Sequence, residues 1–129
     1  MTAVDTNILV RIVTNDDPIQ VKRAVAFLHG KKVFISKTVF LEMEWVLRHA
    51  YKLERLSIVR AFHGILGLPN VIAEDQALVI QAIEWYQSCL DFGDALHLAS
   101  SHACERFSTF DDKLCQKTRS LNCVPVVRI

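Results

Sequence analysis

The sequence predicts an α/β fold, three layers deep (α/β/α), built on a mainly parallel sheet. Two observations predict it. Short apolar segments of strand type alternate along the chain with longer segments of helical periodicity, an alternation that builds parallel sheets. The chain also has 129 residues, 51% of them hydrophobic and 22% charged, enough for one buried core in a single domain spanning residues 1–129.

Ala3 and Val4 open a short strand, and Ile8, Leu9, Ile12 and Val13 follow at helical spacing. Asp16-Asp17-Pro18 reads as a helix start, with an Asp cap and a proline in the first turn, and Gly30 stops the apolar run that ends at Leu28. Lys32 to Ser36 is a second strand, after which Thr38 caps a helix running to about Tyr51. Ser57 caps another helix through Ile58, Val59, Phe62, Ile65 and Leu66, broken at Gly67 and Pro69. Val71-Ile72 is a brief strand, and Asp75 to Cys89 a helix. A turn at Asp91-Phe92-Gly93 leads into a helix from Asp94 towards Cys104. Phe107 to Phe110 is a strand, Lys113 to Leu121 a helix, and Val124 to Val127 a closing strand. No repeat, linker or low-complexity segment interrupts this order.

Composition narrows the function. Fifteen Lys+Arg against fourteen Asp+Glu give a formal charge of +1, which argues against coating nucleic acid by bulk electrostatics and leaves only a local site for such work. Cys89, Cys104, Cys115 and Cys123 form no C-x-x-C pair, and no secretory leader opens the chain, so the cysteines are expected reduced and mostly buried in a cytoplasmic protein. No apolar run approaches the roughly 18 residues that span a bilayer, so no membrane partner is expected. A mean hydropathy of +0.23 hints at an apolar surface kept for a protein partner.

The acids carry the chemistry. In parallel α/β sheets, sites gather at the carboxyl ends of strands. Asp5 follows the first strand, and Asp111-Asp112 follow the penultimate one. Glu42 lies early in the helix after the second strand, and Asp94 opens a helix, with Asp91 three residues before it on one face if the helix starts early enough. Four or five carboxylates are thereby placed to converge. Such acids repel one another, and a hard divalent cation, Mg²⁺ or Mn²⁺, removes that repulsion while activating water against a phosphodiester. The competing reading is that single acids at helix starts are caps, which accounts for Asp16 and Asp75 and, taken alone, for Asp94 or Asp111. Glu42 sits among Phe40, Leu41, Met43, Trp45, Val46 and Leu47. It points about 200° from Glu44, so at most one of the two faces a cluster.

The ordered blocks Val4-Asp5-Thr6-Asn7-Ile8-Leu9, Leu41-Glu42-Met43-Glu44-Trp45-Val46-Leu47-Arg48, Asp91-Phe92-Gly93-Asp94-Ala95-Leu96-His97-Leu98-Ala99 and Thr109-Phe110-Asp111 resemble the PIN-domain ribonucleases. In particular they look like the VapC-type toxins of bacterial toxin–antitoxin pairs. The match covers the whole chain and is specific as a set. The resemblance implies a metal-dependent endoribonuclease restrained by a cognate antitoxin. By position, Asp5, Glu42, Asp94 and Asp111 match the catalytic acidic quartet that binds Mg²⁺ or Mn²⁺, with Asp91 a frequent additional acid and Asp112 an alternative to Asp111. Thr6, Asn7 and Thr109 match small polar positions that orient carboxylates or water. Kinship also implies an RNA substrate, a homodimer, and use of the helices from Asp16 to Leu28 and Thr38 to Leu66 for dimer and antitoxin contacts.

Other constellations fit less well. A haloacid-dehalogenase-like phosphotransferase needs a second Asp where Asn7 stands, and a response-regulator receiver needs a phosphoacceptor Asp at the third strand's end and a Lys near the last strand. His29, His49, His63, His97 and His102 show no metal-binding spacing, His97 being nearest to an acid, and the cysteines show none for zinc. Trp45 and Trp85 read as core or interface anchors. Arg11, Arg48, Lys113, Lys117 and Lys31-Lys32 are candidates for phosphate contacts, though each is individually a solvated helix residue. The alternative function is a PIN-like binding or scaffold module whose acids hold no metal.

Overall fold

The structure, a computed structural model, describes residues 1–129 in order as β1 (Thr2–Ala3), α1 (Thr6–Thr14), α2 (Pro18–Leu28), β2 (Val33–Ile35), α3 (Lys37–His49), α4 (Arg55–Leu66), β3 (Val71–Ala73), α5 (Gln76–Ser88), α6 (Phe92–Ser100), β4 (Phe107–Thr109), α7 (Asp112–Thr118) and β5 (Val126–Arg128). Every strand pairing is parallel, and the fold is the expected α/β. The chain divides into two compact units, Met1–Gln76 and Ala77–Ile129.

In the first unit, β2 is central in the order β1-β2-β3 and pairs in the register Ala3↔Phe34 and Phe34↔Ile72. Two helices cross over between each pair of strands, as parallel pairing requires. Val33 and Ile35 of β2 are fully buried, with Phe40, Met43 and Leu47 of α3 and Ile58 and Phe62 of α4. Phe40 meets Phe62 edge-on, with ring centroids 5.6 Å apart. In the second unit, β4 pairs with β5 in the register Phe107↔Val126 to Thr109↔Arg128. Its core includes Ile83, Tyr86, Leu90, Phe92, Ala95, Leu98 and Leu114, with Tyr86 edge-on to Phe92 at 5.3 Å.

The helix starts differ from the sequence reading by one to three residues, and side-chain hydrogen bonds explain most of the shifts. Asp17, not Asp16, caps α2 by accepting from the Gln20 N–H, with Pro18 at the first helical position. Asp16 instead accepts from Tyr51 Oη at 2.6 Å and pairs with Arg11 at 2.9 Å. Ser36, not Thr38, caps α3 by accepting from the Val39 N–H. α4 begins at Arg55, ahead of Ser57, behind Glu54, whose side chain makes no capping bond. Gly30, at φ 71°, turns the chain after α2 in a conformation that other residues rarely adopt.

The thiols are free, but Cys104 is exposed and the other three are half-buried, so the expectation of mostly buried cysteines is corrected. Trp85 is buried, whereas Trp45 is 57% exposed and its ring lies tilted at 40° against His49, with centroids 4.7 Å apart. No helix is long and apolar enough to cross a membrane.

Candidate active site

Asp5, in the first unit, is exposed, stands two residues beyond β1 and caps α1, its Oδ1 accepting from the Thr6 N–H at 2.7 Å. Thr6 is buried and Asn7 exposed on the first turn. On α3 the two glutamates point apart, as their spacing requires. Glu42 is exposed, whereas Glu44 is 2% exposed and accepts two hydrogen bonds from Arg48, at 2.7 and 3.2 Å. A buried carboxylate is tolerated only with such partners. Glu44 therefore serves the fold, and Glu42 is the α3 acid open to a ligand.

Glu74 is the residue that sequence reasoning missed. It follows β3 directly, and its Oε1 accepts from the Lys37 N–H at 2.8 Å, tying the start of α3 to the end of β3. The neighbouring Asp75, in left-handed backbone at φ 45°, pairs with Lys37 Nζ at 3.0 Å. The signal was the one that marked Asp5 and Asp111, an acid just after a strand. It was hidden because the strand extends to Ala73, one residue beyond the predicted Val71-Ile72.

In the second unit, α6 starts at Phe92, two residues before the expected start at Asp94. Asp91 is the cap, its Oδ2 accepting from the Asp94 N–H at 3.2 Å. Asp94 thus lies inside the first turn, on the face it shares with Asp91, and does not cap the helix. Partial burial pushes the Asp94 carboxyl above the ordinary Asp value, and the charges of Asp91 and then Asp111 push it further. His97 and Lys117 act in the opposite direction. Asp94 therefore feels acids from two helix starts, those of α6 and α7.

Asp111 caps α7, its Oδ1 accepting from the Lys113 and Leu114 N–H groups at 2.9 and 3.1 Å. Thr109 Oγ1 accepts from the Asp111 N–H at 3.0 Å, holding the turn in which that acid sits. Asp112, by contrast, pairs on the exposed surface with Arg128 Nε at 2.7 Å. Capping and ligand binding are compatible, because Asp5 and Asp111 each use one carboxylate oxygen, Oδ1, for the cap. The donors are all carboxylate oxygen, the set that suits a hard divalent ion, and the repulsion on Asp94 is of the kind a cation relieves. No group of three or more His, Cys, Asp or Glu side chains stands gathered to hold an ion. The fit is thus one of donor chemistry.

Acids stand just beyond the carboxyl ends of β1, β3 and β4, namely Asp5, Glu74 and Asp111. The chain matches the PIN domain over residues 2–119 and belongs to the PIN domain family. It is a PIN-domain protein of the nuclease class, a class whose members are generally metal-dependent. Comparison with curated proteins gives no significant match.

Proposed function

We propose that the protein is a divalent-metal-dependent endoribonuclease, the toxin of a VapC-like toxin–antitoxin pair. The observation that carries the reading is the PIN family match over residues 2–119, beside Asp5, Asp91 and Asp111 at helix starts and Asp94 one turn beyond Asp91. The whole chain acts as one domain, a reading supported by a family match that runs from residue 2 to 119.

In this reading Asp5, Glu42, Asp94 and Asp111 hold Mg²⁺ or Mn²⁺, with Asp91 as an additional acid and Asp112 occupied by Arg128. A bound ion supplies charge neutralisation at the phosphodiester and lowers the pKa of water for in-line attack. The chain's own side chains do the positioning. Backbone N–H groups hold Asp5 and Asp111 at their helix starts, and Thr109 steadies the turn before Asp111. Thr6 and Asn7 orient carboxylates or water beside Asp5. Lys117, whose charge already acts on Asp94, attracts the RNA phosphate.

The partners are an RNA substrate, a second copy of the chain and a cognate antitoxin. Exposed Ile19 and Val25 on α2, Trp45 on α3 and Leu56 on α4 support protein contacts on these helices.

The test is cleavage of a mixed structured-RNA pool with Mn²⁺ or Mg²⁺, alongside EDTA and the Asp5→Asn and Asp94→Asn variants. Cleavage is expected to vanish in EDTA and in both variants, with their circular dichroism unchanged. Full activity in either variant sinks the assignment. Mn²⁺ titration separates this reading from the scaffold module, which shows no acid-dependent binding.

A further inference from the structure

The register of the three strands in the first unit continues past their ends. Ala3, Phe34 and Ile72 stand in one row, and beyond it the Glu74 N–H still donates to the Ile35 carbonyl at 2.9 Å. Two residues after that row, the same register brings Asp5, Ser36 and Glu74 side by side, with neighbouring strands about 4.8 Å apart. The residues just before them, Val4, Ile35 and Ala73, are all buried, so this end of the sheet is held in the core. The middle member, Ser36, caps α3, the helix that carries Glu42. We propose that Glu74 is a positioning residue of the acidic site: by accepting from the Lys37 N–H it fixes the start of α3, and through that helix Glu42, relative to Asp5. The inference rests on the metal-dependent reading and adds what aims one of its acids.

A helix start is where such a contact has most effect, because the first four N–H groups have no partner inside the helix. Ser36 serves Val39, the third helical residue, from within the same turn. Lys37, the first, is served by Glu74 from 37 residues away, at 2.8 Å. A carboxylate in that place makes a charge-assisted bond and is favoured by the helix dipole. The adjoining pair of Lys37 Nζ with Asp75 contributes little by comparison, since the Asp75 side chain is 54% exposed.

Glu42 lies five residues beyond Lys37, about 7.5 Å along the helix axis. α3 packs on α1, the helix that Asp5 caps, so the placement of Asp5 against Glu42 is the placement of one helix start against another. Ser36 joins α3 to its own strand alone. Glu74 joins it to a second strand and so opposes tilting of the helix over the sheet end.

The test is titration with Mn²⁺ alone, the free ion being followed by electron paramagnetic resonance, beside thermal unfolding. Glu74→Ala and Glu74→Gln remove the same charge, but only glutamine keeps an acceptor for the Lys37 N–H. Asp75→Asn removes a charge one residue away and suits the left-handed backbone at that position. Glu74→Ala is expected to weaken Mn²⁺ binding roughly 5- to 10-fold, at or below the lower end of what a group bonded directly to a metal ligand contributes. Glu74→Gln and Asp75→Asn are expected within about 2-fold of the parent. Lys37→Pro deletes the donor instead, at a first helical position that proline favours and behind Ser36 at ψ 159°. It is expected to weaken Mn²⁺ binding although it removes a positive charge, and it decides the matter if Glu74→Ala does not fold. Lys37→Pro binding Mn²⁺ as the parent does overturns the proposal. Equal affinity in the alanine and glutamine variants overturns it as well, because the hydrogen bond then has no effect on the site and any loss belongs to the charge. A fall in Tm with Mn²⁺ affinity unmoved also overturns it, and leaves Glu74 to the fold. The ribonuclease reading fails differently, by Mn²⁺ binding that Asp5→Asn and Glu42→Gln leave unchanged, and the proposal falls with it.

Discussion

Replacing Arg48 by methionine isolates the carboxylate of Glu44 inside the protein, and the cost follows from the asymmetry of the pair. The Glu44 side chain is 3% exposed and that of Arg48 42% exposed, with Nε to Oε2 at 2.7 Å. Removing one partner of a fully buried pair costs about 3–5 kcal/mol, because the remaining charge is stranded. Here the figure falls to roughly 2–3 kcal/mol, since Arg48 reaches water and Glu44 keeps a further interaction. Methionine retains most of the arginine stem, so the loss reports the charge and not the packing. Glu44→Met leaves Arg48 free to turn into solvent and is expected to cost under about 1 kcal/mol. The double variant removes both charges and is expected within about 1 kcal/mol of the parent, as buried pairs replaced by apolar groups generally are. Thermal and urea unfolding of the four proteins measures the cycle, with Arg48→Met lowering Tm by about 8–12 °C at about 4 °C per kcal/mol for a chain of this size. An Arg48→Met protein as stable as Glu44→Met refutes the argument, because the two sides of the pair are then equally solvated.

Two further outcomes follow from the acids. Asp94 has its folded pKa above the unfolded value, so its contribution to stability is present below the ordinary Asp value and is lost as pH rises through the folded value. Asp94→Asn in EDTA is therefore expected to be more stable than the parent at pH 7, by under about 1 kcal/mol once solvent screening and the lost helix-dipole interaction are counted, with the gain gone at about pH 3. A gain that grows on acidification contradicts the repulsion. Asp16 has the opposite sign, its carboxyl held below the ordinary value first by the Tyr51 hydroxyl and then by Arg11 and Thr14, so its contribution is present above the unfolded value and is lost as pH falls through the folded one. Tyr51→Phe is expected to move the Asp16 titration upward, followed by carboxyl NMR, and an unmoved titration shows that the hydroxyl does not hold it.

The order of strands and helices was legible in the sequence, because most strands are short β-branched or aromatic runs and the helical segments between them are longer, two of them ended by Gly30 and by Gly67 and Pro69. The sequence by itself also determined which acids deserved notice, since Asp5 and Asp111 stand just beyond strands and Asp91 and Asp94 are one helical turn apart. It determined that Glu42 and Glu44 diverge, but not which of them faces inward. Only tertiary packing decided that, by burying Glu44 against Arg48 and leaving Glu42 in water. Caps were ambiguous for a similar reason. Asp16 and Asp17, Ser36 and Thr38, and Asp91 and Asp94 are chemically equivalent candidates a few residues apart, and the choice depends on which oxygen reaches an unpaired N–H once neighbouring elements are fixed. Tyr51 draws Asp16 away from α2 across 35 residues of chain, and Glu74 reaches α3 across 37. Contacts of that span arise from the path of the folded chain, and no local pattern encodes them.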